Sequence, residues 1–305
     1  MKIAIIGAGA MGCIYATYLS RHNDVLLVDV VKAHVDAINE NGLVFEHLDG
    51  SVETYKNLRA TLDTTNEKPA DLVILLTKGY QSAEALEKNK ALIGGNTTVL
   101  SLQNGYGNAD EIARYVPENQ IVLGTSGGGA IVAGPGHVLH RGQGATHIGC
   151  LTEDQSRAEA IKRAMDEGGV PEVEVVPNVR ELVWSKLFVN IGINAICALM
   201  NDLNKTVVVN EFAHRASYAL VKEAVDVANA VGMDFDFDKE FANVMHLATV
   251  TGENVCSMLA DVRNKRRTEV DRINGAVVSE GKKIGKSAPL NELITNLIHA
   301  KELLY

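Results

Sequence analysis

Basic residues are in deficit in this chain, cysteines are few, and no cluster of metal-ligating side chains is visible in its sequence. The 305 residues carry 29 Lys and Arg against 38 Asp and Glu, a formal net charge of −9. Nucleic acid and anionic membrane surfaces attract clustered Lys and Arg, so this balance argues against both as partners. The one dense basic run, Arg263-Asn264-Lys265-Arg266-Arg267, is followed by Glu269 and Asp271 and reads as a helix face. The four cysteines (Cys13, Cys150, Cys197, Cys256) stand far apart without metal-ligand spacing, so no metal is expected. Such thiols are most often small buried hydrophobes in a reducing compartment. No apolar run reaches the length of a bilayer span and nothing precedes the first strand. Neither a membrane segment nor a signal peptide is therefore expected, and the expected location is the cytoplasm. Internal repeats and low-complexity segments are also lacking.

What is present begins at residue 1. Ile3-Ala4-Ile5-Ile6 reads as a strand buried on both faces, and it runs into Gly7-Ala8-Gly9-Ala10-Met11-Gly12. This is the Gly-x-Gly-x-x-Gly spacing of a dinucleotide turn. Gly7 permits the turn, Gly9 lets backbone approach the phosphates, and Gly12 lets the next helix pack on the strand. A helix over roughly 10–21 would then aim its free N–H groups at the pyrophosphate. The second strand, Asp24 to Asp29, ends in an acidic residue about 20 positions after the central glycine, where a carboxylate binds the ribose hydroxyls and repels a 2′-phosphate. These features predict NAD as cofactor. Lys78, after a later strand, is the residue placed to reach an adenosine phosphate if the cofactor is NADP.

Further along, 71–77, 98–103 and 120–124 read as strands alternating with helical segments, the doubly wound pattern of an α/β fold with a mostly parallel sheet. After Gly124 short runs punctuated by Gly and Pro suggest antiparallel strands that finish this sheet. A helix at about 156–168 and a strand at 173–176 close the first half, and Pro177-Asn178 marks a boundary. Beyond it the periodicity is helical: 179–200, 208–231, 238–249, 257–284 and 290–303, with starts at Asp238 and Pro289. The length supports two substantial cores. The expected plan is a Rossmann-type dinucleotide-binding domain over 1–177 and an all-helical domain over 178–305, with ligands in a cleft between them.

The second concentration of polar residues is Trp184-Ser185-Lys186-Leu187-Phe188-Val189-Asn190-Ile191-Gly192-Ile193-Asn194. Lys186, Asn190 and Asn194 are spaced i, i+4, i+8 and stack on one helical face. In so apolar a helix such a stripe is costly unless it meets something polar.

These motifs together resemble the ketopantoate reductases (2-dehydropantoate 2-reductases) along essentially the whole chain. The matching segments are the glycine turn, Asn104-Gly105-Tyr106-Gly107, the Trp184 to Asn194 helix, Ser257-Met258-Leu259-Ala260-Asp261, and Thr268-Glu269-Val270-Asp271-Arg272-Ile273-Asn274-Gly275. The resemblance implies an oxidoreductase that reduces 2-dehydropantoate to (R)-pantoate with a nicotinamide cofactor. It implies Lys186 as general acid and Asn190, Asn194, Ser257 and Glu269 as substrate contacts. Asn104 would lie beside both substrate and nicotinamide, and a homodimer is expected. Two departures matter. Val30 stands where an NADPH-binding relative has arginine, and Asn194 is followed by Ala195-Ile196-Cys197 instead of Pro-Leu-Thr. Both point toward the NAD-dependent D-2-hydroxyacid dehydrogenases of the D-mandelate type, which act on branched or aromatic 2-oxoacids.

Two other classes share part of the pattern. β-Hydroxyacid dehydrogenases also place a lysine four residues before an asparagine, and Ser126-Gly127-Gly128 resembles their carboxylate turn. The Thr268 to Gly275 motif does not resemble theirs. A nucleotide-sensing binding protein would account for the glycine turn but not for Lys186 with two asparagines.

Overall fold

The computed structural model describes residues 1–305 as two compact units, 1–103 with 108–182, and 104–107 with 183–305. The first holds strands β1 (Lys2–Ile6), β2 (Asp24–Val28), β3 (Leu43–Glu46), β4 (Val52–Tyr55), β5 (Arg59–Thr61) and β6 (Leu72–Leu75). Strands β7 (Thr98–Ser101), β8 (Ile121–Ser126), β9 (Gly129–Gly134), β10 (His137–Gly142), β11 (Thr146–Cys150) and β12 (Val173–Val175) follow. Its helices are α1 (Ala10–Leu19), α2 (Lys32–Asn41), α3 (Ser82–Lys88), α4 (Asn108–Ile112) and α5 (Ser156–Gly168). The main sheet has the order β12-β11-β8-β7-β6-β1-β2-β5. All its neighbouring pairs are parallel except β8 with β11. Its central strands carry apolar residues toward both faces because both are covered: Ile3, Ile5, Leu72, Val73, Ile74 and Leu75 are wholly buried.

The stretch after Gly124 divides between two sheets, which corrects the expectation that it only finishes the main one. β11 does so, but β9 and β10 join β3 and β4 in a second sheet of order β4-β3-β10-β9. β3 and β4 escaped notice because each is only four residues long and three of the four residues of β4 are exposed. The link between the sheets is specific. His34 of α2 accepts the Gly136 N–H at Nδ1 (2.9 Å), with its Nε2 3.6 Å from the Cys13 Sγ of α1.

The second unit is helical: α6 (Val179–Met200, from Val183 onward), α7 (Thr206–Val209), α8 (Glu211–Ala230), α9 (Phe237–Val250), α10 (Ser257–Arg263), α11 (Asn274–Lys283) and α12 (Pro289–Glu302). Two of its segments are more broken than their periodicity implies. The 208–231 segment is interrupted at Asn210, whose side chain caps α8 by accepting the N–H groups of Phe212 and Ala213. The 257–284 segment is α10, an irregular stretch, a 3₁₀ turn (Val270–Arg272) and α11. The apolar period crosses this gap because Val270 and Ile273 are buried in the same core as Met258, Leu259 and Val277. The basic run is therefore not a helix face. Only Arg263 lies in α10, and Lys265 takes the left-handed conformation (φ 53°). The cap of α9 is Asp236, two residues before the expected Asp238, and accepts the Lys239 N–H.

α6 also departs from the expectation that no segment would match a membrane span. By length and composition it is apolar enough to cross one, yet most of it is buried within the fold. Trp184, Phe188, Ile191, Ala195 and Ala198 are wholly enclosed. Gly192 admits close packing, since a Cβ there would stand 2.6 Å from Val244 and 3.0 Å from Val221. A buried core helix meets the same compositional test as a span.

Candidate active site

In the first unit, parallel pairing brings the ends of β1, β2 and β6 to one edge of the sheet, and three expected cofactor contacts lie there. Gly7 follows β1, donates its N–H to the Val28 carbonyl (2.9 Å), and has φ +102°. A Cβ on it would stand 2.8 Å from the backbone after β6. A Cβ on Gly12 would stand 2.0 Å from the Gly7 carbonyl, so only glycine lets α1 start so close to β1. Gly9 differs: nothing lies within 4 Å of a Cβ placed there. Ala8 is buried, while Ala10 and Met11 begin α1, which has no side-chain cap and no acid in its first turn. An open glycine before an uncapped helix start suits an anionic group held by backbone N–H groups. The turn thus fits the pyrophosphate of a dinucleotide.

Asp29 follows β2 and has a structural task as well. Its Oδ1 accepts the N–H groups of Val30 (2.8 Å) and Val31 (2.9 Å), shaping the entry to α2. Lys78 lies after β6 and precedes a 3₁₀ turn, Gly79–Gln81. A residue the sequence did not single out, Gln103, joins the ends of β6 and β7. Its Nε2 donates to the Thr77 carbonyl (2.7 Å) and to the Ser82 hydroxyl (2.9 Å).

The remaining site residues all belong to the second unit. Lys186, Asn190 and Asn194 form one stripe along α6; the first two are half-buried and Asn194 is 5% exposed. Lys186 keeps some solvent access, but the surrounding protein strips water from its ammonium group and brings its pKa down to about 8. Ser257 opens α10 and is exposed. The residue before it, Cys256, ties that helix to the stripe by donating its S–H to the Asn194 carbonyl (3.7 Å). Glu269 is buried and its carbonyl accepts the Arg272 N–H at 2.9 Å.

Asn104 begins the turn that packs into this helical unit although it follows β7. The Tyr106 N–H donates to the Arg272 carbonyl (2.9 Å), and the Tyr106 ring lies 4.6 Å from that of Trp184. Gly105 (φ +86°) has no room for a side chain: a Cβ would stand 2.5 Å from the Arg272 oxygen. Three motifs far apart in sequence therefore meet, the Asn104–Gly107 turn seated on the 268–275 segment with Trp184 of α6 against its tyrosine. Arg272 and Tyr106, which make this contact, carried no functional signal of their own in the sequence.

The family model described as Ketopantoate reductase PanE/ApbA matches residues 3–153, and its C-terminal companion matches residues 178–302. A 2-dehydropantoate 2-reductase of Streptococcus pyogenes is 35% identical, with 99% of this chain and 98% of that protein covered. One from Pyrococcus horikoshii is 36% identical, with 100% and 98% covered. Among solved structures, the ternary structure of D-mandelate dehydrogenase with NADH and anilino(oxo)acetate superposes with a TM-score of 0.93 at 32% identity, covering 99% of this chain and 98% of that one. Matched by these two models over residues 3–153 and 178–302 and by such relatives over its full length, the chain belongs to the ketopantoate reductase family and is an oxidoreductase that uses a nicotinamide cofactor.

Proposed function

We propose that this enzyme reduces 2-dehydropantoate to (R)-pantoate, with NADH as the preferred reductant. The observation that carries the proposal is the stripe on α6: a lysine whose pKa is drawn down to about 8, followed at one-turn intervals by two asparagines. A general acid works best with a pKa near the working pH, and at pH 7 Lys186 is still mostly protonated. Bound NADH supplies the hydride. Lys186 donates its proton to the ketone oxygen and its charge stabilises the alkoxide as it forms. Asn190 and Asn194 hydrogen-bond the substrate's oxygens, Ser257 takes the carboxylate, and Glu269 and Asn104 orient the remaining polar groups. The cofactor contacts are Gly7 to Gly12, Asp29, Lys78 and Asn104. In this division 1–177 bind the dinucleotide and 178–305 bind the substrate and a second copy of the chain in a homodimer. Four free cysteines accord with a cytoplasmic setting.

A second reading is favoured by one observation, the Asn194-Ala195-Ile196-Cys197 sequence, in which Ala195 and Cys197 are wholly buried. It makes the protein an NAD-dependent D-2-hydroxyacid dehydrogenase for branched or aromatic 2-oxoacids. A pocket built for 2-dehydropantoate has polar groups for its hydroxymethyl arm. It should reject 2-oxoisovalerate, which lacks that arm, by roughly 10²-fold or more in kcat/KM. Equal or better rates with 2-oxoisovalerate or phenylglyoxylate would select the second reading.

Replacing Lys186 tests the chemistry. Lys186→Met should lower turnover by roughly 10²-fold or more while NADH affinity holds. In the wild type, kcat for reduction should be level below about pH 8 and fall above it, as the acid is lost. Stability carries the opposite sign. The fold disfavours the charged lysine, so it is penalised below about pH 8, and the penalty is relieved as pH rises from there to the ordinary lysine value. Lys186→Met should accordingly raise the melting temperature at neutral pH. Wild-type turnover in the variant would remove Lys186 from the mechanism.

Asp29 decides the cofactor. Asp29→Asn keeps an acceptor for the Val30 and Val31 N–H groups but loses the charge that repels a 2′-phosphate, so the NADH preference should shrink with little change in melting temperature. Asp29→Asn combined with Val30→Arg should favour NADPH. A wild-type kcat/KM about tenfold better with NADPH would contradict the assignment and make Lys78 the dominant phosphate contact.

A further inference from the structure

A cluster of titratable groups stands beneath the proposed substrate contacts, where α12 meets the 268–272 segment. The ring of His299, on α12, is bracketed by two carboxylates. Nδ1 lies 2.9 Å from Glu302 Oε2 and Nε2 lies 2.8 Å from Asp271 Oδ1. The other oxygen of Glu302 accepts the Thr268 N–H at 2.7 Å, and Arg267 Nη2 donates to Asp271 at 3.2 Å. The short segment is thus fastened at Thr268 and again at Asp271, on either side of Glu269. Its last carbonyl, that of Arg272, is the one that receives the Tyr106 N–H and seats the Asn104 turn.

A neutral imidazole has one N–H and one lone pair, so it can satisfy only one of two carboxylates and sets its lone pair against the other. The imidazolium donates to both. Burial works against that charge, but the hydrogen bonds to Glu302 and Asp271 outweigh it and lift the His299 pKa above its ordinary value. Burial likewise works to raise Glu302, yet bonds from Thr268 and His299 hold it below the usual carboxylate range. The charged groups facing the ring are Asp271, itself paired with Arg267, from the 268–272 segment and Glu302 from α12. Tyr305, beyond the helix, donates its hydroxyl to the Arg266 carbonyl and does not titrate in this range. The sign follows. The clamp is complete below the ordinary histidine pKa and is lost as pH rises through the raised one.

We propose that His299 is a positioning residue for the 2-oxoacid site: it clamps the Thr268–Arg272 turn between Asp271 and Glu302 and so fixes the backbone carrying Glu269 and, through the Arg272 carbonyl, Asn104. The inference rests on Glu269 and Asn104 being substrate contacts, as proposed above. It assigns His299 no contact with substrate or cofactor.

The test is steady-state kinetics of the full-length enzyme between about pH 6 and 9, spanning the histidine range. In the wild type, KM for 2-dehydropantoate should rise as pH passes through the His299 pKa, apart from the fall in kcat set by Lys186. His299→Gln should raise KM roughly tenfold and abolish that step, since a small displacement of orienting groups has effects of this size. KM for NADH should rise less than KM for 2-dehydropantoate, because Asn104 is the one proposed cofactor contact carried by the clamped segment. Glu302→Gln, which keeps an acceptor for the Thr268 N–H, should give the same change. His299→Lys, a cation throughout the range, should restore a low KM and leave no step. A His299→Gln enzyme that melts earlier but keeps the wild-type KM and its pH step would overturn the proposal, leaving a purely structural role. A wild type inactive on every 2-oxoacid would instead sink the functional reading. NMR titration of His299 would then decide the clamp: a raised pKa that falls back in Glu302→Gln sustains it, and an ordinary wild-type pKa overturns it.

Discussion

A lysine ammonium held in an apolar helix is an unfavourable object, and much of the proposed site depends on how this fold tolerates it. Lys186 lies between Trp184 and Phe188, both wholly buried, on a helix that forms the core of its unit. Desolvation draws its pKa to about 8, close to the pH at which a proton donor is most effective. The energetic penalty and the chemical use have one origin. A lysine on the exposed side of the same helix would be more comfortable and a poorer acid. The asparagines at the next two turns extend the polar stripe without adding charge, offering amide donors where a second lysine would add a cation.

The second constraint is the seating of the Asn104–Gly107 turn. It leaves β7 of the first unit yet packs with the helices, through one backbone hydrogen bond to Arg272 and one aromatic contact to Trp184. Gly105 is required there twice over, by its positive φ and by the Arg272 oxygen against it. This contact explains why segments separated by more than a hundred residues share a functional signature. The turn, the lysine helix and the 268–275 segment are pieces of one packed object, and a change in one moves the groups carried by the others.

How much of this was legible in the sequence follows from the range of each interaction. The glycine turn was, because its spacing encodes local geometry: Gly7 and Gly12 are forced by contacts within a few residues or with an adjacent strand. The stripe of Lys186, Asn190 and Asn194 was legible for the same reason, since a single helix of regular period carries it. The second sheet was not, because β3 and β4 are short, most of β4 is exposed, and β3 is separated from its partner β10 by about ninety residues. The break at 264–273 was hidden by Val270 and Ile273, which keep the apolar rhythm while the backbone leaves the helix. Tyr106 with Arg272, and His299 with Asp271 and Glu302, depend on contacts across the fold that no local pattern records.

Direct titration of the Lys186 ammonium tests the central claim, that a desolvated lysine is the proton donor. Isotope-edited NMR of the lysine side chains, with the Lys186 signal assigned by its absence in Lys186→Arg, gives the pKa of that one group in the intact enzyme. The account predicts a midpoint near 8, set by desolvation within the helical unit. A midpoint at the ordinary lysine value would contradict the tuning by desolvation on which its role as the acid is argued.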